Sequence, residues 1–162
     1  MKVSEVLGII PGLEESVIID ENASLEELAS EVVKKKVKRN AYVVDSRGRL
    51  VGYVPLKKLA NTLLLDYLSS SSYRVRLTRR IIDAMTSEKV GDITIRSVVS
   101  CRLDESVEEV IRRLLEMDIE EMPVVDKDGK IVARFGLTNI LELWLKEREK
   151  QGGKEGVKEE ER

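Results

Sequence analysis

The chain has 162 residues, with 28 Lys and Arg against 30 Asp and Glu, no His and a single Cys. That length holds one compact domain or two small ones sharing a core. The net charge of −2 offers no general attraction to nucleic acid, so none is expected as a partner. With only Cys101 and no His, neither a Cys/His zinc site nor a Cys–His or Ser–His–Asp nucleophile can be assembled in one chain, and no catalytic residue is assigned.

A lone cysteine excludes an internal disulfide framework and suits a reducing cytosol. No apolar run approaches the ~20 residues needed to cross a membrane, and Met1-Lys-Val-Ser-Glu does not begin like a signal peptide. A cytoplasmic protein is therefore expected. The charged fraction of 36% beside 4% aromatic residues predicts a surface rich in ion pairs, which fits a thermophilic source.

A short lead-in, Lys2-Val-Ser-Glu-Val6, comes first, followed by the apolar stretch Val17-Ile-Ile19, short enough for a buried strand. Ser24 with Glu27 has capping-box spacing and should start a helix whose apolar stripe is Leu25, Leu28, Val32 and Val33. A hairpin follows over 41–54, turning at Asp45-Ser-Arg-Gly48 with the Asp-first, Gly-fourth preference of a type I turn. A second helix is expected from about Pro55, with Leu56, Leu59, Ala60, Leu63 and Leu64 on one face. The segment from Leu65 to Glu88 is long for a connection. It is broken by Ser69–Ser72 and should hold a short helix over Leu77–Met85.

Then the pattern returns. Lys89-Val-Gly-Asp-Ile93 repeats the lead-in, Val98-Val-Ser-Cys101 the strand, and Ser106 with Glu109 the capping box. Val107, Val110, Ile111, Leu114 and Leu115 form the stripe of that helix. Met122-Pro-Val-Val-Asp-Lys-Asp-Gly129 repeats the hairpin, and a last helix from about Gly136 carries Leu137, Ile140, Leu141 and Trp144. From Glu147 the chain is almost wholly charged and is expected to fray. Each copy reads strand, helix, strand, strand, helix, an α+β unit too small to bury its apolar face alone, so two copies should pack together. The sequence divides into a first repeat, 1–66, a linker helix region, 67–88, a second repeat, 89–146, and a charged tail, 147–162.

In this order and written twice, these segments resemble a tandem pair of CBS (cystathionine β-synthase) domains, a Bateman module, from Val3 to about Lys146. The resemblance implies two βαββα repeats packed with pseudo-twofold symmetry, and a regulatory rather than catalytic protein. It further implies two clefts per pair for adenosine-containing ligands such as AMP, ADP, ATP or S-adenosylmethionine, with no cofactor required. It also implies a homodimer formed through helices, here including the one with Trp144, acting on a regulated protein whose identity the sequence does not give.

The family runs from its hairpin into Gly-x-x-Ser/Thr-x-x-Asp, where the hydroxyl helps hold a phosphate at a helix N-terminus and the Asp accepts from ribose. Both copies depart from this. The first reads Gly52-Tyr-Val-Pro55-Leu-Lys-Lys58, the second Ala133-Arg-Phe-Gly136-Leu-Thr-Asn139. Asn139 keeps a carbonyl acceptor and Thr138 supplies a nearby hydroxyl, whereas Lys58 could meet only a phosphate. Pro55 and Gly136 also read as ordinary helix-start residues.

Ser100 matches the family's hydroxyl at the end of the first strand and Ile18 does not. A basic residue before the hairpin survives at Arg39-Asn40 but is reversed at Glu120-Glu121. With Ala41 and Tyr42 on one hairpin, and Glu121, Met122 and Pro123 on the other, these are the candidate nucleotide-binding residues. The second copy is the better preserved. Three alternatives stay open: a degenerate pair serving as a dimerisation or docking scaffold, a divalent-cation sensor through Asp118, Glu120 and Glu121, and, last, an enzyme. Arg74, Arg76, Arg79 and Arg80 form a basic cluster that reads either as phosphate binding or as a solvated helix face paired with Asp83. Cys101 reads as a small core residue.

Overall fold

Local turn chemistry builds both hairpins. The Asp45 carbonyl oxygen accepts the Gly48 N–H at 2.9 Å, and that of Asp126 accepts the Gly129 N–H at 3.1 Å. Each Asp side chain takes two more backbone N–H groups, those of Arg47 and Arg49 for Asp45 and those of Asp128 and Lys130 for Asp126. Gly48 and Gly129 lie at φ 78° and 81°, where a Cβ would be strained, so glycine closes both turns. The Arg49 backbone N–H is the largest influence holding the Asp45 carboxyl below its ordinary value; partial desolvation pushes the other way. A depressed carboxyl of this kind supports the turn above its unfolded pKa, and that support is lost as pH falls through the folded value.

The computed structural model describes residues 1–8, 16–37, 39–69 and 88–155. The expected linker helix over 77–85, the serine run beyond Ser69 and the Arg74–Arg80 cluster lie outside the described residues. In chain order the elements are α1 (Val3–Leu7), β1 (Val17–Asp20), α2 (Leu25–Lys35), β2 (Asn40–Val44), β3 (Leu50–Pro55) and α3 (Leu56–Ser69). They continue as α4 (Val90–Ile93), β4 (Cys101–Arg102), α5 (Val107–Glu116), β5 (Glu121–Val125), β6 (Ile131–Gly136) and α6 (Leu137–Glu155). Two three-stranded sheets result, β1-β2-β3 and β4-β5-β6. In the first, β1 runs parallel to β2 and β2 antiparallel to β3, with a register shift between Val43 and Val44. The fold is α+β, as the alternation predicts.

The compact units of the fold do not follow the sequence repeats. One, the α1 unit, comprises Met1–Gly12, Ser100–Val124 and Ala133–Arg162; the other, the α4 unit, comprises Leu13–Val99 and Val125–Val132. The two lead-ins have been exchanged. In the α1 unit, the N–H groups of Val3 and Ser4 donate to the carbonyls of Glu105 and Leu103, and Val107 N–H donates to the Met1 carbonyl. In the α4 unit, Val90 and Gly91 donate to the carbonyls of Ala23 and Glu21. Each lead-in helix is closed by its own carboxylate, Glu5 accepting from Lys2 N–H and Asp92 from Lys89 N–H.

The core of the α4 unit gathers Val17, Leu25, Leu28, Val43, Val54 and Val90, among others. The α1 unit buries Val3, Val6, Cys101, Val107, Val110, Leu114, Met122 and Phe135. In the α4 unit the two hairpin tips touch, with Leu50 N–H donating to the Gly129 carbonyl at 2.9 Å.

Several expectations need correcting. Val33 and Leu115 leave the apolar stripes and stand 76% and 65% exposed, because of two adjacent residues on a helix only one can face the core. Ser24 caps α2 by accepting the Glu27 N–H, but the Ser106 hydroxyl donates instead to the Glu108 carboxylate and caps nothing. The second copy's strand is only Cys101–Arg102, not Val98–Cys101; the Ser100 carbonyl accepts from the Arg113 guanidinium. Pro55 ends β3 and precedes the first helical residue, Leu56. The charged stretch from Glu147 continues α6 as far as Glu155, with the Arg148 guanidinium over the Trp144 ring at 5.3 Å.

Candidate functional site

The strand–helix corner of the second repeat, where β6 runs into α6, gathers the best-preserved candidates. Gly136 sits at the helix N-cap, and its N–H donates to Asn139 Oδ1 at 2.9 Å. Asn139 thus closes its helix from the third helical position, as the acid of a capping box does. Leu137 N–H donates to the Glu120 carbonyl at 2.9 Å. Two of the four leading N–H groups, which a helix normally offers to a cap or an anion, are therefore taken. Space is limited as well: a Cβ at Gly136 would stand 2.5 Å from the Glu120 carbonyl oxygen and 2.9 Å from Glu121 Cβ.

Glu121 does not stand as a bare acid at this corner. Its Oε2 meets Arg134 Nη1 at 2.9 Å, with both side chains largely shielded from solvent. Glu121, Gly136 and Asn139 are brought together; Met122 and Pro123 lie buried along β5, and Thr138 is exposed on the first turn of α6. Ser100 is half-buried, and the carbonyl next to its hydroxyl is held by Arg113, which also pairs with Glu105. Asn139 as a cap and Arg134 as the partner of Glu121 went unread. A Gly-x-x-Asn spacing just before an apolar helix is the signal that could have found the first.

The corner of the first repeat has the same skeleton with different chemistry. The strand register sets Ile18 beside Tyr42, Ala41 opposite Val54 and Asn40 opposite Pro55. Leu56 N–H donates to the Arg39 carbonyl at 2.6 Å, as Leu137 does to Glu120. Pro55 has no N–H to give, and Lys58 stands one turn along where Asn139 stands in the second copy. Ala41 and Tyr42 are buried while Ile18 is exposed, so of this set Asn40, Pro55 and Lys58 are the half-buried residues.

Metal and thiol chemistry find no support here. Among the described residues no group of three or more His, Cys, Asp or Glu side chains could hold a metal ion. Asp118, Glu120 and Glu121, the residues of the cation-sensor expectation, are not gathered into such a group. Asp118 turns off the end of α5 in a left-handed conformation and Glu121 is drawn to Arg134. Burial, seconded by the Glu105 carboxylate, pushes the Cys101 thiol up to about 12, so it is no nucleophile at neutral pH. Among the described residues no helix is long and apolar enough to cross a membrane.

The family model of the CBS domain matches this chain twice, over residues 13–65 and 90–146. Among curated proteins, the chain is 24% identical over 131 residues to a homoserine O-acetyltransferase of Methanohalobium evestigatum, covering 81% of this chain but only 22% of that protein. Among solved structures, CBSX2 of Arabidopsis thaliana, crystallised with AMP, is 24% identical, with a TM-score of 0.65 over 91% of this chain and 98% of that one. A CBS domain pair crystallised with 5′-methylthioadenosine and S-adenosylmethionine is 20% identical, with a TM-score of 0.62 over 91% of this chain and 98% of that one.

Proposed function

The chain belongs to the CBS domain family, and on that premise we propose that it is a regulatory module, not an enzyme, that binds an adenosine-containing nucleotide and passes its occupancy to a partner protein. AMP, ADP, ATP and S-adenosylmethionine are the ligands in view. The observation that carries this reading is the corner at Gly136, where Asn139, one helical turn past the strand end at the family's ribose-binding position, gives one lone pair of its Oδ1 to Gly136 N–H and keeps the second as an acceptor. Similar pairs crystallised with AMP and with S-adenosylmethionine support it. Ligand would act by favouring one of two arrangements that the partner distinguishes, a population shift.

A thermal melt with each ligand tests the reading, because anything that binds only the folded state raises the midpoint. Ligand at a hundredfold over its dissociation constant adds about 2.7 kcal/mol of stability, and Asn139→Ala should weaken binding about tenfold by removing a ribose acceptor. No shift with any of the four at millimolar concentration would leave the second reading, a docking scaffold. That reading is favoured by Lys58, which has no acceptor, and by Pro55, which has no N–H.

We also propose a homodimer formed through helices that include Trp144. Equivalent positions are exposed in both copies, Val33 with Leu115 and Leu64 with Leu145, while Leu141 and the 54% exposed Trp144 extend the α6 patch. An isologous pair needs such self-complementary apolar surface, and a central Trp tends to dominate it. Trp144→Glu should weaken the dimer at least about tenfold in sedimentation equilibrium. A monomeric parent protein would remove the proposal. A cytoplasmic location is proposed on the single, buried thiol of Cys101.

A further inference from the structure

Building on the nucleotide-binding reading above, we infer that the second repeat's corner selects an adenosine ligand whose 5′ substituent carries no negative charge, with Glu121 as the specificity-determining side chain. Three features of one corner point the same way. First, the family's phosphate-holding hydroxyl has no room to exist. The Glu120 carbonyl and Glu121 Cβ occupy the space that any side chain at position 136 would enter.

Second, the helix start is half closed. Gly136 N–H is committed to Asn139 and Leu137 N–H to Glu120, so an anion arriving there is left with at most the N–H groups of Thr138 and Asn139. Third, Arg134, the cation beside Gly136 in the strand, is already neutralised by Glu121 at 2.9 Å. A phosphate that reached Arg134 would have to lie next to that carboxylate, and like charges in a half-buried setting repel strongly.

A neutral ligand meets none of these obstacles. Asn139 presents an uncharged amide, both donor and acceptor, which suits sugar hydroxyls. The first repeat has the opposite chemistry, with Arg39 and Lys58 at the positions of Glu120 and Asn139. Selectivity must therefore be read at one corner and not from total binding.

The test is a titration of ¹⁵N-labelled full-length protein with adenosine, 5′-methylthioadenosine and AMP, following the Thr138 and Asn139 amide resonances. Adenosine and 5′-methylthioadenosine should bind there at least about tenfold more tightly than AMP. Glu121→Gln, which keeps the shape and a hydrogen-bond acceptor for Arg134, should raise the ratio of AMP to adenosine affinity about tenfold. AMP binding at that corner as tightly as adenosine, or a ratio unmoved by Glu121→Gln, overturns the inference and leaves the nucleotide-binding reading standing. Saturation by none of the three overturns the inference, and the nucleotide-binding reading falls with it only if ADP, ATP and S-adenosylmethionine also leave the melting midpoint unmoved.

Discussion

Val6→Asp is expected to unfold the part of the molecule that carries the second repeat, although Val6 belongs by sequence to the first. Val3 and Val6 are fully buried, α1 is tied by hydrogen bonds to Leu103 and Glu105, and Met1 just before it to Val107, within one compact unit. A carboxylate placed there loses the valine's burial and gains an unpaired buried charge, together worth about 3–5 kcal/mol. Domains are stable by only about 5–15 kcal/mol, so that is a large share. The sole cysteine supplies the measurement. Cys101 lies in the same unit, is buried, and has its thiol pushed up to about 12. Modification by a thiol reagent therefore requires opening. Its rate at neutral pH should rise about a hundredfold or more in the variant. A labelling rate equal to that of the parent protein would show that α1 does not hold this unit together.

That exchange marks the boundary between what the sequence could and could not reveal. The hairpins were legible because their turns are built locally, by Asp45 with Gly48 and by Asp126 with Gly129. The likeness of Lys2–Val6 to Lys89–Ile93 was legible too, but the copy against which each would dock depends on long-range contacts that no periodicity encodes. Ser24 and Ser106 are more instructive still. Both are followed by Glu at the second and third positions, and only Ser24 accepts a cap bond; nothing in the two strings separates them.

The same limit holds at the candidate site. The departures Pro55/Lys58 and Gly136/Asn139 were visible, yet the fate of Glu121 depended on Arg134 across the hairpin, and the closure of Leu137 on a carbonyl of a preceding segment. Spacing predicts which residue types stand at the corner. It does not show which of their hydrogen bonds are already in use.

Gly136→Ser illustrates the consequence, because on sequence alone it repairs the family pattern. It is expected to lower stability by about 1–3 kcal/mol, the usual cost of overfilling a packed site, and to gain no affinity for AMP. The new Cβ would meet the Glu120 carbonyl at 2.5 Å and Glu121 Cβ at 2.9 Å, and the closer of the two is backbone, which cannot swing aside as a side chain can. Relief would require moving Glu120, whose carbonyl accepts the Leu137 N–H, so the substitution also loosens the start of α6.

The first copy shows that this is a matter of what crosses each strand. There glycine is needed three residues earlier, at Gly52, where a Cβ would strike the Ile95 carbonyl and the Thr94 methyl; the second copy tolerates Ala133 at that place. Thermal melts of Gly136→Ser beside parallel AMP titrations decide the point. A variant that melts like the parent and binds AMP more tightly would mean that the corner can reopen, and that the glycine is a lost hydroxyl and not a steric requirement.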